Sequence, residues 1–480
     1  MDLLSTKLFA AAAGAGGDSK NWVLKIENTI FHDLQVDDNN NIAVGLVDRT
    51  TSTHRGVVAR ISEDGSTVSW ARDLGFNQSN FARLAATHRY GNGGPKVGVD
   101  TFNNHLYVTS QDTNFDAKFL KYDWNTGNVL WSSNPTLAAP ASPGYSVAVN
   151  GINTGTLSAN QNATFYWTGY AADSTNSNYS FVRSLFFNNG NPPFSYEYSS
   201  FNGFESKPSS SADFWLTGQR SISLWQGEQA SRQTLFLGIF DQTAKLLEVK
   251  YQINTGNYDL RSYGNSLGLN AAKNQVILAG TRTDMWQPMV IVVNVNPYNT
   301  PSLTQNWQKR ISLSGAPSSH VNPAYSNGIA VEYDSNNKGW LGIHWNEQST
   351  LTQFDISTLS PVTHFVRHST PNTSNTCFIN FLRRTSDNCI IAGITLSAAS
   401  TQGGDSYILK FDASDPTAMY GTYDDLVFED ISNQGVTLAF NNTTDISDGQ
   451  LTTAWNTNTH FSVTNVADGS STTNLSTTKY

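Results

Sequence analysis

The chain has 480 residues, 12% of them aromatic and only 14% charged, where an average soluble protein carries roughly 25% charged residues. The aromatic content is enough for a core and excludes a disordered chain. A net charge of −9 (29 basic and 38 acidic residues), with no long Lys/Arg run, excludes a strong phosphate-binding surface and so a nucleic-acid partner, and the lack of any apolar stretch of about 18 residues excludes a helical membrane span.

The first 17 residues read MDLLSTKLFAAAAGAGG. A secretory signal has a basic start and an unbroken apolar stretch; here Asp2 and Lys7 break that pattern, so no cleaved leader is expected. An Ala/Gly arm frays unless something holds it. Leu3, Leu4, Leu8 and Phe9 are its apolar anchors and are expected to dock into a neighbouring subunit, the alternative being that the arm folds back on its own domain.

From residue 30 to 425 one element recurs at intervals of roughly 50–65 residues. It is a turn rich in Asp and Asn, followed by a short β-rich run that ends in a small residue. Asp38-Asn39-Asn40-Asn41 leads to Gly45, Asn103-Asn104 to Ser110, Asn160-Gln161-Asn162 to Gly169 and Ser211-Ala212-Asp213 to Gly218. Lys273-Asn274 leads to Gly280, Asn336-Asn337 to Gly342 and Asp387-Asn388 to Gly393. Behind each comes an alternating strand (57–61, 118–122, 235–240, 290–295, 407–411), a polar turn, and in several units a strand with an aromatic such as Trp70, Trp131 or Trp307. Each unit reads as four short antiparallel strands, and seven such sets predict an all-β fold, a seven-bladed β-propeller. The tryptophans are expected to span adjacent blades and the glycines to let neighbouring sheets approach.

Asn21-Trp22-Val23-Leu24-Lys25-Ile26 resembles the fourth-strand segment Asn306-Trp307-Gln308-Lys309-Arg310-Ile311, yet it precedes the first unit. This surplus fourth strand predicts that Trp22, Leu24 and Ile26 complete the last blade and close the ring, leaving 419–423 displaced or added as an outer strand. The domains are then an N-terminal docking arm (1–20), the propeller (21–424) and a C-terminal β/loop appendage (425–480), rich in Thr, Asn and Ser, that lies against the ring or a neighbour. Cys377 and Cys389 fall on a hairpin, 377–382 and 389–396, turning near Thr385 and Ser386, which sets Cys389 beside Leu382; two free thiols are expected.

Chemistry is sparse. The nine His form no HxH or HExxH pattern, and His364 and His368, four apart on a predicted strand, make a weak chelate, so no metal is expected. No GxSxG elbow, P-loop or strand-following GxGxxG occurs, so no catalytic residue and no cofactor is assigned. Asp123, Thr126, Gly127 and Trp131 resemble the Asp-x-x-Thr-Gly-x-x-x-Trp docking repeat of quinoprotein-like propellers, a resemblance that implies a blade-locking role. The segment Ser62 through Trp70 resembles a sialidase Asp-box with two extra residues, also a structural motif.

The opening Leu3-Leu4-Ser5-Thr6-Lys7-Leu8 with the Ala/Gly run, and the repeat over 38–75, resemble segments of phage tail and fibre proteins. That resemblance implies a structural component of a virion tail, localised to the virion, with other tail proteins and further copies of the chain in a symmetric assembly as partners. Host-surface glycan is a further expected partner, with Trp225, Trp286, Trp340 and Trp345 as aromatics on long loops that could meet it, a place in the core being the other reading of several of them. The alternative is a secreted or periplasmic propeller binding carbohydrate or protein; behind both stands a propeller hydrolase or quinoprotein-like enzyme.

Overall fold

A computed structural model describes residues 20–480 except 51–53, 78–93, 102, 112–116, 138–145, 156–163, 173–178, 188–193, 199–211, 218–219, 230–231, 242–246, 255–259, 262–265, 283–286, 316–328, 346–347, 371–374, 399–402, 432–434, 444–446, 452–456, 459–460 and 466–470. Its strands form seven antiparallel sheets among the described residues, in an all-β, multi-bladed, propeller-like arrangement. Sheet 1 runs Thr29–Val36, Ile42–Asp48, Arg55–Ile61 and Val68–Asn77; sheet 2 runs Lys96–Asp100, His105–Gln111, Ala117–Asp123 and Val129–Leu137. Sheets 3, 4 and 6 begin at Ser146–Gly155, Ala212–Thr217 and Ile329–Tyr333, sheet 5 begins with Leu260–Arg261 and Leu267–Leu269 on one second strand, and sheet 7 comprises Asn375–Arg384, Cys389–Ala398 and Gly403–Asp412. The first strands of consecutive sheets touch in an unbroken cycle, and the first strand of sheet 7 touches that of sheet 1.

The core lies between sheets. One cluster joins Ala330, Trp340 and Leu351 of sheet 6 to Ile379, Ile390 and Phe411 of sheet 7; another joins Ala43 and Val58 of sheet 1 to Leu106, Leu120 and Tyr122 of sheet 2. Strands flanked by sheets on both faces are buried throughout rather than on alternate residues. Ile329–Tyr333 and Gly339–Trp345 are accordingly buried at every position, while the fourth strand Val68–Asn77 is mixed, with Trp70, Ala71 and Leu74 buried and Ser69, Gly75 and Asn77 exposed. Glycine permits the closest approaches: a Cβ at Gly342 would lie 2.5 Å from Ile379 of sheet 7.

The Asp/Asn turns share one geometry. The residue before each turn caps it: Asp37 accepts from the amides of Asn39 and Asn41, Asn270 from Asn274 and Gln275, and Asp334 from Asn336 and Lys338. A left-handed residue follows at equivalent positions, namely Asn40, Asn104, Lys273, Asn337 and Asn388, a conformation Asn tolerates better than most residues. Its amide side chain then ties neighbouring sheets: Asn270 donates to Asn337, Ser335 to Asn388 and Ser386 to Asn40. Much of the Asn content near these turns thus serves the joints between sheets.

Trp22–Ile26 lies antiparallel beside Gly403–Asp412 as the fourth strand of sheet 7, with Trp22 opposite Lys410 and Leu24 opposite Ile408. Trp22, Leu24 and Ile26 face the side shared with sheet 1, among Phe31, Ile42 and Ile408, while Val23 faces the cluster shared with sheet 6. The cysteine hairpin turns at Thr385, which bonds Cys389, but its register sets Leu382 opposite Ala392, so Cys389 does not sit beside Leu382 as expected. The reason is the tight turn: the Thr385 amide donates to the Cys389 carbonyl, so the ladder starts with Arg384 opposite Ile390, and the bulge between Ile379 and Phe381 shifts only the pairing farther out, toward Cys377.

Among the described residues of 421–480, every strand joins a sheet of the ring. They turn back and run around the ring against the order of the sheets, adding an outer strand to each. Leu426–Asp430 pairs with sheet 6, flanked by Gly421–Tyr423, and Thr437–Asn442 pairs with sheet 5. Ser447–Leu451 pairs with sheet 4, Thr457–Asn458 with sheet 3, Phe461–Asn465 with sheet 2 and Ser471–Thr472 with sheet 1. Thr477–Lys479 finally pairs with Trp22–Ile26 on sheet 7. The tail completes a circuit, and the ring of Tyr480 meets that of Tyr423 at 6.2 Å.

Candidate functional site: the inner charge line and the girdled rim

Two features are unlike the rest of the core: a line of buried charge on the innermost strands and the girdle on the outermost. The inner line crosses sheets 6, 7, 1 and 2. Asp33 stands just after a bulge in Thr29–Val36, and its carboxylate accepts from the Leu34 amide and, across to sheet 2, from the Val97 amide at 2.9 Å. Arg383 of sheet 7 lies 3.7 Å from Asp33 and donates to Gln35 and to the Leu382 carbonyl. Lys96 donates to the His32 carbonyl at 2.6 Å, with its ammonium over the Phe381 ring. Glu332 of sheet 6 accepts from the Tyr333 amide and faces Arg384 and Arg383.

Burial governs the electrostatics of this line. It pushes the Asp33 and Glu332 carboxyls up and draws Lys96 and Arg383 down, while the opposite charges of the same line act against those shifts. Asp33, Lys96, Arg383 and Glu332 each meet backbone or an opposite charge, so the line ties four sheets together. Among the described residues no three His, Cys, Asp or Glu come close enough to hold a metal ion. Cys377 and Cys389 are free and buried; burial raises both thiols, Cys389 to about 12, which leaves the thiolate unpopulated near neutrality.

Tryptophans lock successive sheets at the rim. Trp22 donates its indole N–H to the Glu63 carbonyl of sheet 1, Trp70 to the Trp124 carbonyl of sheet 2, and Trp307 to the Ile356 carbonyl of sheet 6. Gly127 has φ +68°, and a Cβ there would stand 2.6 Å from the Trp70 indole, so the ring lies flat on the glycine. The Asp123 carboxylate holds that turn by accepting from the amides of Asn125 and Thr126 and from the Thr126 hydroxyl. The tryptophan that packs on Gly127 is therefore Trp70 of the preceding sheet, while Trp131 stands near Tyr107. Sequence reasoning missed the turn opened by Asp355, which repeats the arrangement with Ser357 and Thr358 donating and Leu359 at φ 57° in the glycine's place. The Asp-x-Ser-Thr spacing was its signal.

The girdle closes at sheet 7. Lys25, on the fourth strand, lies 3.0 Å from Asp405 on the third strand and 2.5 Å from Asp424 at the head of the tail. Val23 and Tyr480 exchange both backbone hydrogen bonds, and the Glu27 amide donates to the Ser476 carbonyl. Lys20, the first described residue, pairs with Asp412 of the same sheet.

The proposed arm anchors Leu3, Leu4, Leu8 and Phe9 lie outside the described residues, as does Trp286. The expectation that Trp340 and Trp345 stand on long loops is corrected. Both lie in Gly339–Trp345, a second strand packed on both faces; Trp340 is 0% exposed against Phe411 and donates to Asp334, and Trp345 donates to Thr350. Trp225 falls within the strand Arg220–Gln229, opposite Phe236. His364 and His368 make no joint site: His364 bonds the Tyr420 hydroxyl, while His368 accepts from the Thr370 amide.

No protein-family model and no curated protein matches the chain. Solved structures do. A Dos1 propeller is 14% identical, with 80% of this chain and 78% of that chain covered and a TM-score of 0.44. Drosophila Semaphorin 2a is 9% identical, with 82% and 75% covered and a TM-score of 0.43. The polysaccharide lyase Uly1 is 7% identical, with 79% and 89% covered and a TM-score of 0.45.

Proposed function

We propose that the seven sheets are the blades of one closed propeller and that this propeller is a non-catalytic binding body working outside the cell, with carbohydrate or protein as its ligand. The observation that carries this reading is the girdle: a tail pairing with every blade in turn stiffens the rim and suits a rigid platform better than an enzyme that must open and close. The self-satisfied inner line points the same way, since each of its charges is engaged within the fold. A glycan array and a protein-capture screen on the purified chain test it. Saturable binding of one ligand with no turnover of it supports the reading; hydrolase or lyase turnover by the purified chain overturns it.

A second reading, a structural component of a phage tail assembled with unlike tail proteins and further copies of the chain, is favoured by one specific observation. Lys20, paired with Asp412, and Tyr480, paired with Val23, both sit on one sheet, so the two ends of the described chain meet there. Labelling of the chain on virions in electron micrographs supports it, and absence from purified particles excludes it.

A further inference from the structure

Sheet 7 is the one sheet whose four strands are not consecutive in the chain, so the seam between Trp22–Ile26 and Gly403–Asp412 is where the ring can part without cutting a covalent connection within a sheet. The last strand of the chain, Thr477–Lys479, lies on the open edge of that same Trp22–Ile26 strand. We infer that the tail is a strap, separable from the ring, whose free end latches the seam. The inference concerns closure and is independent of what the propeller binds.

Three observations on the page support it. First, the tail leaves the third strand of sheet 7, docks first on sheet 6 and proceeds through sheets 5, 4, 3, 2 and 1, so its free end reaches the seam last. Release therefore starts at Tyr480 and exposes Trp22–Ile26 before any other strand. Second, the latch is made differently from the ring. The ring strands are bound by interdigitating apolar side chains, whereas Thr477–Lys479 is partly exposed, Thr478 the most, and is held by backbone pairing at Val23, Lys25 and Glu27. Edge pairing of this kind opens locally without disturbing a core. Third, one side chain ties strap and seam together. Lys25 is only 9% exposed and joins Asp405 of the ring to Asp424 at the head of the tail. The strap is thus gripped at both ends within one sheet, with Tyr423 and Tyr480 in ring contact. Tension entering through Lys20 reaches a strand held along both edges rather than one.

The test uses the full-length chain with two substitutions and hydrogen exchange read by region. Val23–Tyr480 is a hydrogen-bonded pair, so by antiparallel alternation the Thr478 amide donates to the Lys25 carbonyl. Thr478→Pro removes that donor on the exposed rim and leaves every core side chain in place. Lys25→Gln removes the charge clasp and keeps the backbone. In each variant the amides of residues 22–27 are expected to exchange at least about tenfold faster, while those of 289–293 and 390–394 stay as slow as in the parent. Unchanged protection of 22–27 in Thr478→Pro overturns the inference, because the free end would then not hold the seam. Equal loss of protection at 22–27, 289–293 and 390–394 also overturns it, because the tail would then be one cooperative unit with the ring.

Discussion

Ring and girdle are both β structure, yet they are held by different physics. In the ring, Gly339–Trp345 is buried at every position and its energy lies in side-chain packing between sheets. In the girdle, the first strands still put Leu426, Phe428 and Leu438 into the core, but toward the free end Thr477–Lys479 is only partly covered and its hold is the ladder to a fourth strand. The girdle also does for the outer edges what closure does for a barrel: it occupies strand edges that would otherwise invite pairing with another chain. A repeat protein can thus be rigid at its rim without a larger core.

Substitutions sharpen the contrast. Trp340→Ala hollows the interface between sheets 6 and 7 and is expected to cost about 3–5 kcal/mol in denaturant unfolding. A loss below about 1 kcal/mol would mean that the two sheets do not pack as described. Arg383→Met takes from buried Asp33 one of the two cations that face it, Lys96 being the other, and is expected to cost about 3 kcal/mol, with the double variant Asp33→Asn, Arg383→Met recovering part of it. Additive losses in that cycle would separate the two residues.

The joint between ring and girdle is sensitive to acid. His364 is buried against Tyr420 and Phe428, with Asp430 the nearest charge; burial lowers it from 6.5 to about 4 despite that carboxylate. Its folded value lies below its unfolded one, so its contribution is fully present above about pH 6.5 and is lost as pH falls toward 4, by about 3 kcal/mol at most. His364→Gln is expected to flatten that part of the stability–pH curve; an unchanged slope between pH 6.5 and 4 would assign it to other groups. Smallest of the set, Gly127→Ala forces a Cβ onto the Trp70 indole at positive φ and is expected to cost about 1–3 kcal/mol in thermal unfolding, with neighbouring sheets 1 and 2 affected first.

The ring was readable because its signals are periodic and steric. Asn40, Asn337 and Asn388 recur where a left-handed residue is needed, Gly342 where another sheet presses close, and Trp22 where a fourth strand was missing from the last unit. The circuit of the tail was not readable. An exposed edge strand needs neither alternation nor bulk, so two residues such as Ser471–Thr472 dock with no mark in composition. The inner charge line was missed for a related reason: Asp33, Lys96, Glu332 and Arg383 are scattered along the sequence, and only the closure of the ring brings them into one row. Trp340 and Trp345 were misplaced because an indole on a doubly packed strand looks, in sequence, like an indole on a loop.

The most direct test of the central claim is a side-chain-resolution map of the purified full-length chain. The account predicts Trp22–Ile26 sandwiched between Gly403–Asp412 and Thr477–Lys479, and an outer strand from residues 421–480 on each of seven blades. A tail that leaves the rim, or Trp22–Ile26 paired with any other strand, would contradict it.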